Sequence, residues 1–372
     1  MRTLPTDLQD IQAIWPWQNE WYAGGKPISL FSAFTETQSS AIPSVVSRTL
    51  KSNPGAIAVG LIGYPTCPDA APEVHIKIFS DSDCLRLDPE ALPDPAQCLS
   101  EGFIAETSWL DYRAAIEKVQ SYLLSGDCYQ INLARRFQSR FHGDPLFAWA
   151  RLSSRHPAPH TSFFRISPEK SVFGCSPERF LRIQDRIITT EPIKGSRPRG
   201  DTPEADQALA ESLVNSSKDR AENLMIVDLL RNDLGKVCKP GTVITEKLFE
   251  LRQFSNVQHL VSTIHGTLNE AVSPLEALLA CFPGGSITGA PKKRAMEIIA
   301  ELEPHPRGFY CGSQVVLDSK GNLDSNILIR TFPTDGDRIY CHGGGGIVID
   351  SDPEQEFAES EFKIRALMNA LL

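Results

Sequence analysis

The segment TTEPIKGSRPRG, residues 189–200, sets one lysine, Lys194, between Ile193 and Gly195 in a stretch rich in Pro, Gly and Arg. A lysine amine attacks carbon only when neutral, and its ordinary pKa is about 10.4. Burial or a neighbouring cation must first lower that value, and Arg197 and Arg199 are close in sequence. The competing reading is a solvated loop lysine. Two glutamates form a second candidate, Glu222 in AENLMIVDLL and Glu359 in EFAESEF. Two helical carboxylates far apart in sequence can jointly hold a hard divalent cation, a role Mg2+ fills when substrate oxygens complete its octahedron. Most helical glutamates are simply solvated.

Two glycine-rich segments could receive an anion. In GGSITGAPKKR, residues 284–294, Gly284 and Gly289 have phosphate-loop spacing, but Ala290-Pro291 stands where Lys-Ser/Thr is required. Nucleotide binding is therefore excluded. What remains is a tight turn feeding a helix start, where free backbone N–H groups can hold an anion. HGGGGIV, residues 342–348, lacks dinucleotide spacing and precedes a strand-like IVID. Glycine costs roughly 0.5–1 kcal/mol relative to alanine in a regular element. Four in a row suggest close backbone approach to a ligand carboxylate, or else a flexible loop.

The elements that must carry these residues strengthen after Ser108, a helix N-cap for Tyr112, Ile116, Val119 and Leu123, with Gly126 ending the run. CYQINLARRF alternates as a strand, and TSFFRIS and SVFGCS flank the turn PEK as a hairpin. A helix is expected over 217–232, with Leu224, Val227 and Leu230 on its apolar face, and another from Pro291 at its first position. FYCGSQVVLD, SNILIRTF and IYCHGGGGIVID read as strands joined by hairpins, and a helix closes the chain from Pro353. Clustered strands with helices outside imply an α+β fold with antiparallel sheets. Residues 1–100 read as short strands near 56–62 and 74–79 and otherwise as loops, with a Pro-rich linker over 88–96.

Composition narrows the function classes. The 372 residues are 41% hydrophobic and 22% charged, with net charge −9 and no long run of like charges. That balance argues against nucleic acid as a partner. No run approaches a membrane span, and the first residues have no apolar signal region. Nine scattered cysteines with no C-x-x-C pair suit a reducing cytoplasm.

Taken in order, the motifs GDCYQINLARRF, CSPERFL, PIKGSRPRG, SKDRAENLMIVDLLRNDLG, HLVSTI, FPGGSITGAPKKRAMEII, YCGS, IRT, GGGIV and EFAESEFK resemble the chorismate-utilising enzymes. That family includes anthranilate synthase large subunits, aminodeoxychorismate synthase components, isochorismate synthases and salicylate synthases. The resemblance implies two antiparallel sheets packed face to face with helices outside. It also implies a catalytic domain over 101–372, with a shortened region 1–100 contributing to the same fold. Anthranilate synthases typically read PIAGT where this chain has PIKGS, while aminodeoxychorismate synthases carry the lysine. The resemblance thus points to chorismate plus ammonia giving 4-amino-4-deoxychorismate for para-aminobenzoate and folate synthesis. Mg2+ would be the cofactor, and a separate glutamine amidotransferase subunit would supply the ammonia. An anthranilate synthase large subunit and a non-catalytic homologue are the alternatives.

The same resemblance implies roles. Lys194 would add to C2 of the ring, and Glu178 in SPERF would act as general acid and then base; a surface pair with Arg179 is its other reading. His259 would approach the ring hydroxyl. Glu222 and Glu359 would hold Mg2+, with Lys363 nearby. Tyr310 and Arg330 would bind the enolpyruvyl carboxylate, and Gly344, Gly345 and Gly346 would offer N–H groups near Ser286 and Gly285. Gln130 stands where isochorismate and salicylate synthases place a water-activating lysine, which favours ammonia as nucleophile. YCGSQVVL departs from the family's YCGAIGY at Gln314, Val315 and Val316, and no tryptophan-binding motif is evident.

Overall fold

Seven of the helix starts described are set by short side chains that satisfy otherwise free backbone N–H groups. Thr35, Ser108, Asp144, Thr202, Ser216, Ser273 and Asp352 each accept from an N–H two or three residues on. These caps are seen in a computed structural model that describes residues 10–18, 20–88, 99–253 and 257–372. The expected linker, apart from Asp88, lies outside the described residues.

The first part of the chain forms β1 (Ala13–Trp17), β2 (Glu20–Gly24), β3 (Ser29–Ala33), α1 (Glu36–Ser52), β4 (Ile57–Ile62), β5 (Val74–Phe79) and β6 (Cys84–Leu87). β7 (Ile104–Ala105), α2 (Trp109–Leu124), β8 (Gln130–Arg140), α3 (Pro145–Arg155), β9 (His160–Arg165) and β10 (Lys170–Ser176) follow. Next come β11 (Arg179–Gln184), β12 (Ile187–Thr190), β13 (Ile193–Pro198), α4 (Pro203–Val214), α5 (Ser217–Gly235), β14 (Ile244–Gln253) and β15 (Val257–Thr267). The last third holds α6 (Pro274–Cys281), β16 (Gly289–Ala290), α7 (Lys292–Leu302), β17 (Ser313–Asp318) and β18 (Leu323–Asn326). It ends with β19 (Thr331–Asp335), β20 (Arg338–Ile347) and α8 (Pro353–Ala370).

The strands make two antiparallel sheets. One runs β16-β8-β20-β19-β10-β9-β1-β2-β6, with β7 also on β8; the other runs β13-β15-β12-β11-β18-β17-β4-β5-β3, with β14 also on β15. Between them packs a core drawn from both, including Trp15, Phe164 and Val172 against Leu61, Phe79 and Val316. Outside the first sheet, α3 and α8 bury Trp149, Ile364 and Leu367 against Phe137 and Ile339. Outside the second, α1, α5 and α6 bury Val46, Ile226 and Leu278 against Ile76, Ile183 and Ile264. The α+β architecture of face-to-face sheets with helices outside is the one expected.

Four expectations change. Residues 10–88 are not mostly loop: they add α1 and four strands beyond the two foreseen, because Pro and Gly here punctuate short elements rather than abolish them. Leu224 is 45% exposed, and α5 instead buries Asn223, Ile226, Val227, Leu230, Asp233 and Leu234. Pro291 is the N-cap of α7 rather than its first residue. SNILIRTF is not one strand; the chain leaves the second sheet after Asn326 and enters the first at Thr331, with Arg330 at φ +53 in the crossing.

Candidate active site

β13 positions Lys194 through a bulge. Lys194 lies opposite Leu260 and Ser196 opposite His259 on β15, so Gly195 is an extra residue between two consecutive partners. Gly195 has φ +78, and a Cβ there would lie 2.9 Å from Asp219 Cβ and 2.9 Å from Leu213 Cδ1. Only glycine meets both conditions without strain. Lys194 Nζ donates to the Ser286 carbonyl at 3.4 Å. Burial lowers its pKa, opposed by Glu178 and Glu222 and assisted by Lys363. By area the residue as a whole is half-buried. The nearby arginines are not its cause: Arg197 pairs with Asp219 at 3.0 Å and Arg199 with Asp206 at 2.6 Å.

Glu178 sits in the turn from β10 to β11 and is 8% exposed. Its Oε1 accepts from Ser286 Oγ at 2.7 Å. Burial raises its pKa, opposed by the Ser286 bond and by Lys194. Pairing with Arg179 is ruled out, because that guanidinium turns away to Asp324 at 3.0 Å and Glu191 at 3.1 Å. Burial therefore disfavours the charged form of both Glu178 and Lys194.

Glu222 on α5 and Glu359 on α8 approach this pair from the two helical layers, and both act electrostatically on Lys194. Burial raises the pKa of Glu222, with Asp219 and Glu359 adding to the rise against Lys194 and Lys218. Glu359 is 53% exposed and meets Lys363 at 2.7 Å. Glu356 was missed in the sequence. It shares a face of α8 with Glu359 and Lys363 through i, i+3, i+7 spacing, which could have revealed it. Its pKa is raised by burial against its 2.7 Å bond from Ser351 Oγ. Among the described residues no group of three or more potential metal ligands is drawn together. Burial and the neighbouring Glu359 charge both raise the pKa values of Glu222 and Glu356, and a hard divalent cation such as Mg2+, which takes few protein ligands, is the kind of ion that would relieve that repulsion.

The four glycines are part of strand β20 rather than a loop before it. Gly344, Gly345 and Gly346 face Ala134, Leu133 and Asn132 of β8. Alternate residues of an antiparallel pair bond across it, so only part of this run can direct N–H groups elsewhere. The glycines also admit neighbours. A Cβ on Gly345 would lie 3.1 Å from Glu356 Oε2 and 3.4 Å from Lys363 Nζ, and one on Gly346 would lie 1.8 Å from Gln130 Nε2. Lys363 Nζ donates to the Gly344 carbonyl at 3.1 Å. Gln130 is buried beside them, its Oε1 without a protein partner. Gly285 makes room for Leu229, whose Cδ2 would lie 2.5 Å from an added Cβ.

His259 Nδ1 and Ser196 Oγ are 2.7 Å apart, and burial, with Arg330 nearby, lowers the histidine pKa. Arg330 is exposed by area, yet protein around its guanidinium lowers its pKa. Tyr310 is 4% exposed, stacks on His342 at 4.8 Å between ring centroids, and has its pKa raised well above the usual value by burial.

A family model for chorismate-binding enzymes matches residues 62–369. The chain belongs to this family. An aminodeoxychorismate synthase component 1 from Salmonella typhimurium is 47% identical over 70% of this chain, a stretch that spans 57% of that relative. An anthranilate synthase component 1 from Saccharolobus solfataricus is 43% identical over 70% of the chain and 62% of its own length. Among solved structures, a putative 2,3-dihydroxybenzoate-specific isochorismate synthase from Bacillus anthracis superposes with TM-score 0.82 at 23% identity, covering 98% of this chain and 97% of that one. The last match concerns the fold alone. Among the described residues no helix is long and apolar enough to cross a membrane.

Proposed function

We propose that the protein converts chorismate and ammonia to 4-amino-4-deoxychorismate and water, as the aminodeoxychorismate synthase component of this family. The observation that carries the reading is the pairing of half-buried Lys194 with buried Glu178, joined through Ser286, with burial lowering the pKa of the amine and raising that of the acid. A neutral amine forms a bond to ring C2, the ring electrons shift, and the C4–O bond breaks as Glu178 gives its proton to the departing hydroxyl. Ammonia then bonds to C4 and expels the Lys194 amine while Glu178 recovers a proton, which closes the cycle.

Arg330, exposed by area, is suited to bind a substrate carboxylate bidentately. Tyr310, the N–H groups of β20 and Gln130 would complete the substrate surroundings, with His259 toward the ring hydroxyl. Glu222 and Glu359, with Glu356 beside them, would hold Mg2+, which supplies charge neutralisation for the ring carboxylate. The component 1 names of the relatives support a partner glutamine amidotransferase as the ammonia source. The eight described cysteines are free thiols, which supports a cytoplasmic location. The test is purified protein with chorismate, ammonium and Mg2+, with products separated by chromatography and identified by mass. Aminodeoxychorismate is expected. Anthranilate as the main product refutes the reading in favour of an anthranilate synthase, and no turnover refutes it in favour of a non-catalytic homologue.

A further inference from the structure

Ser286 sits in a 3-10 turn, Gly285–Ile287, and both of its polar ends are engaged. Its hydroxyl donates to Glu178 Oε1 at 2.7 Å and its carbonyl accepts from Lys194 Nζ at 3.4 Å. The turn is held from several sides. The Thr288 hydroxyl donates to the Gly284 carbonyl at 3.1 Å, with the Gly285 carbonyl the alternative acceptor at 3.3 Å, and Arg307 donates to the Ile287 carbonyl at 2.8 Å. Gly284 and Gly285 have no side chains to hold off Ile327 and Leu229, which close on the turn.

We propose that Ser286 is a positioning residue that fixes the acid and the amine relative to one another, its hydroxyl orienting the Glu178 carboxylate and its carbonyl orienting the Lys194 amine. The inference rests on the roles given above to Glu178 and Lys194. A serine hydroxyl has one proton to donate. With that proton on Glu178, Ser286 has none for a substrate carboxylate, so its role differs from the substrate contact its motif suggests.

The charged and titratable groups facing Glu178 are Lys194 from β13 and the Cys311 thiol from the turn before β17. A hydrogen bond to a carboxylate favours the ionised form, so losing it moves Glu178 further in the direction burial already drives it. The readout is infrared titration of the carboxyl C=O band that Glu178→Gln removes. Ser286→Ala is expected to raise its midpoint by about one to two pH units. Ser286→Thr, which keeps the hydroxyl, should titrate as wild type. In turnover, kcat for Ser286→Ala should fall by about 10–100-fold with KM for chorismate unchanged. An unmoved midpoint in Ser286→Ala overturns the proposal, and a raised KM with an unmoved midpoint returns Ser286 to substrate binding. If Ser286→Ala does not fold, Ser286→Cys keeps the size with a weaker donor, and no upward shift there also overturns it. The titration needs no turnover, so an inactive wild-type protein removes the proposed reaction while the midpoint comparison still decides the role of Ser286.

Discussion

Gly195→Ala tests whether the bulge in β13 delivers Lys194. The native φ of +78 is one an L-residue adopts at a cost of about 1–2 kcal/mol. The added methyl also meets Asp219 Cβ and Leu213 Cδ1 at 2.9 Å. Asp219 cannot swing clear, because that atom is at the root of its side chain and its carboxylate holds Arg197 at 3.0 Å. Leu213 is wholly buried. Overpacking of this kind costs about 1–3 kcal/mol, so the total expected loss in urea unfolding is about 2–5 kcal/mol. The bulge shifts with it, and a displacement of about 1 Å at the reacting amine lowers the rate by about 100-fold. Initial rates with chorismate and ammonium measure that effect. Leu213→Ala in the same chain relieves one of the two contacts, so the double variant should be about 1 kcal/mol more stable than the sum of the singles. A Gly195→Ala protein with unchanged stability and rate would refute the argument that the bulge requires glycine.

Three further outcomes are expected. Lys194→Ala should abolish amination at C4 while leaving the fold intact by circular dichroism; wild-type turnover would remove the covalent role. Glu303→Ala should cost about 3–5 kcal/mol in unfolding, because it strands the buried Arg307 guanidinium that Glu303 meets at 2.7 Å with only 6% of its own side chain exposed. Lys77, 3% exposed, has its pKa lowered to about 8 from 10.5 by burial, so between those values the unfolded chain binds more protons than the folded one. Stability should therefore rise with pH across that window, by up to about 3 kcal/mol from this group, and Lys77→Met should remove that part of the slope.

Much of the site was legible because its residues lie on strongly patterned elements. Ser108 and Gly126 bound α2 as the capping and turn rules require, and β9 and β10 pair across PEK. Lys194 itself carried no local signal above an inert lysine; only its place among ordered motifs raised it. The split of SNILIRTF was hidden because Ile327, Leu328 and Ile329 look like continued strand, whereas what ends β18 is a change of sheet, a tertiary event. Leu224 was misplaced because three apolar residues fit a helical stripe, while Asn223 is buried instead to bond the Leu260 carbonyl and receive Ser262. Periodicity cannot report a polar residue recruited into a core. Strands β1, β2, β3 and β6 escaped because each is only four or five residues long, too short for alternation to stand out, whereas the six-residue β4 and β5 were foreseen.

The position of Lys194 in the sheet explains how a bulge can be tolerated there. β13 ends the order of the second sheet and pairs with β15 alone among the described strands, so an extra residue disturbs one ladder rather than two. The first sheet offers the corresponding end, where β16, β8 and β20 stand together and bring Gln130 and the glycine run to the same region. Helices α5 and α8 belong to opposite outer layers, yet both place carboxylates within electrostatic reach of Lys194, as the end of a sheet allows. A lysine in a central strand would have been flanked by two ladders and shut away from any ligand. At the terminal strand it is enclosed enough to lower its pKa and remains open enough to meet a substrate.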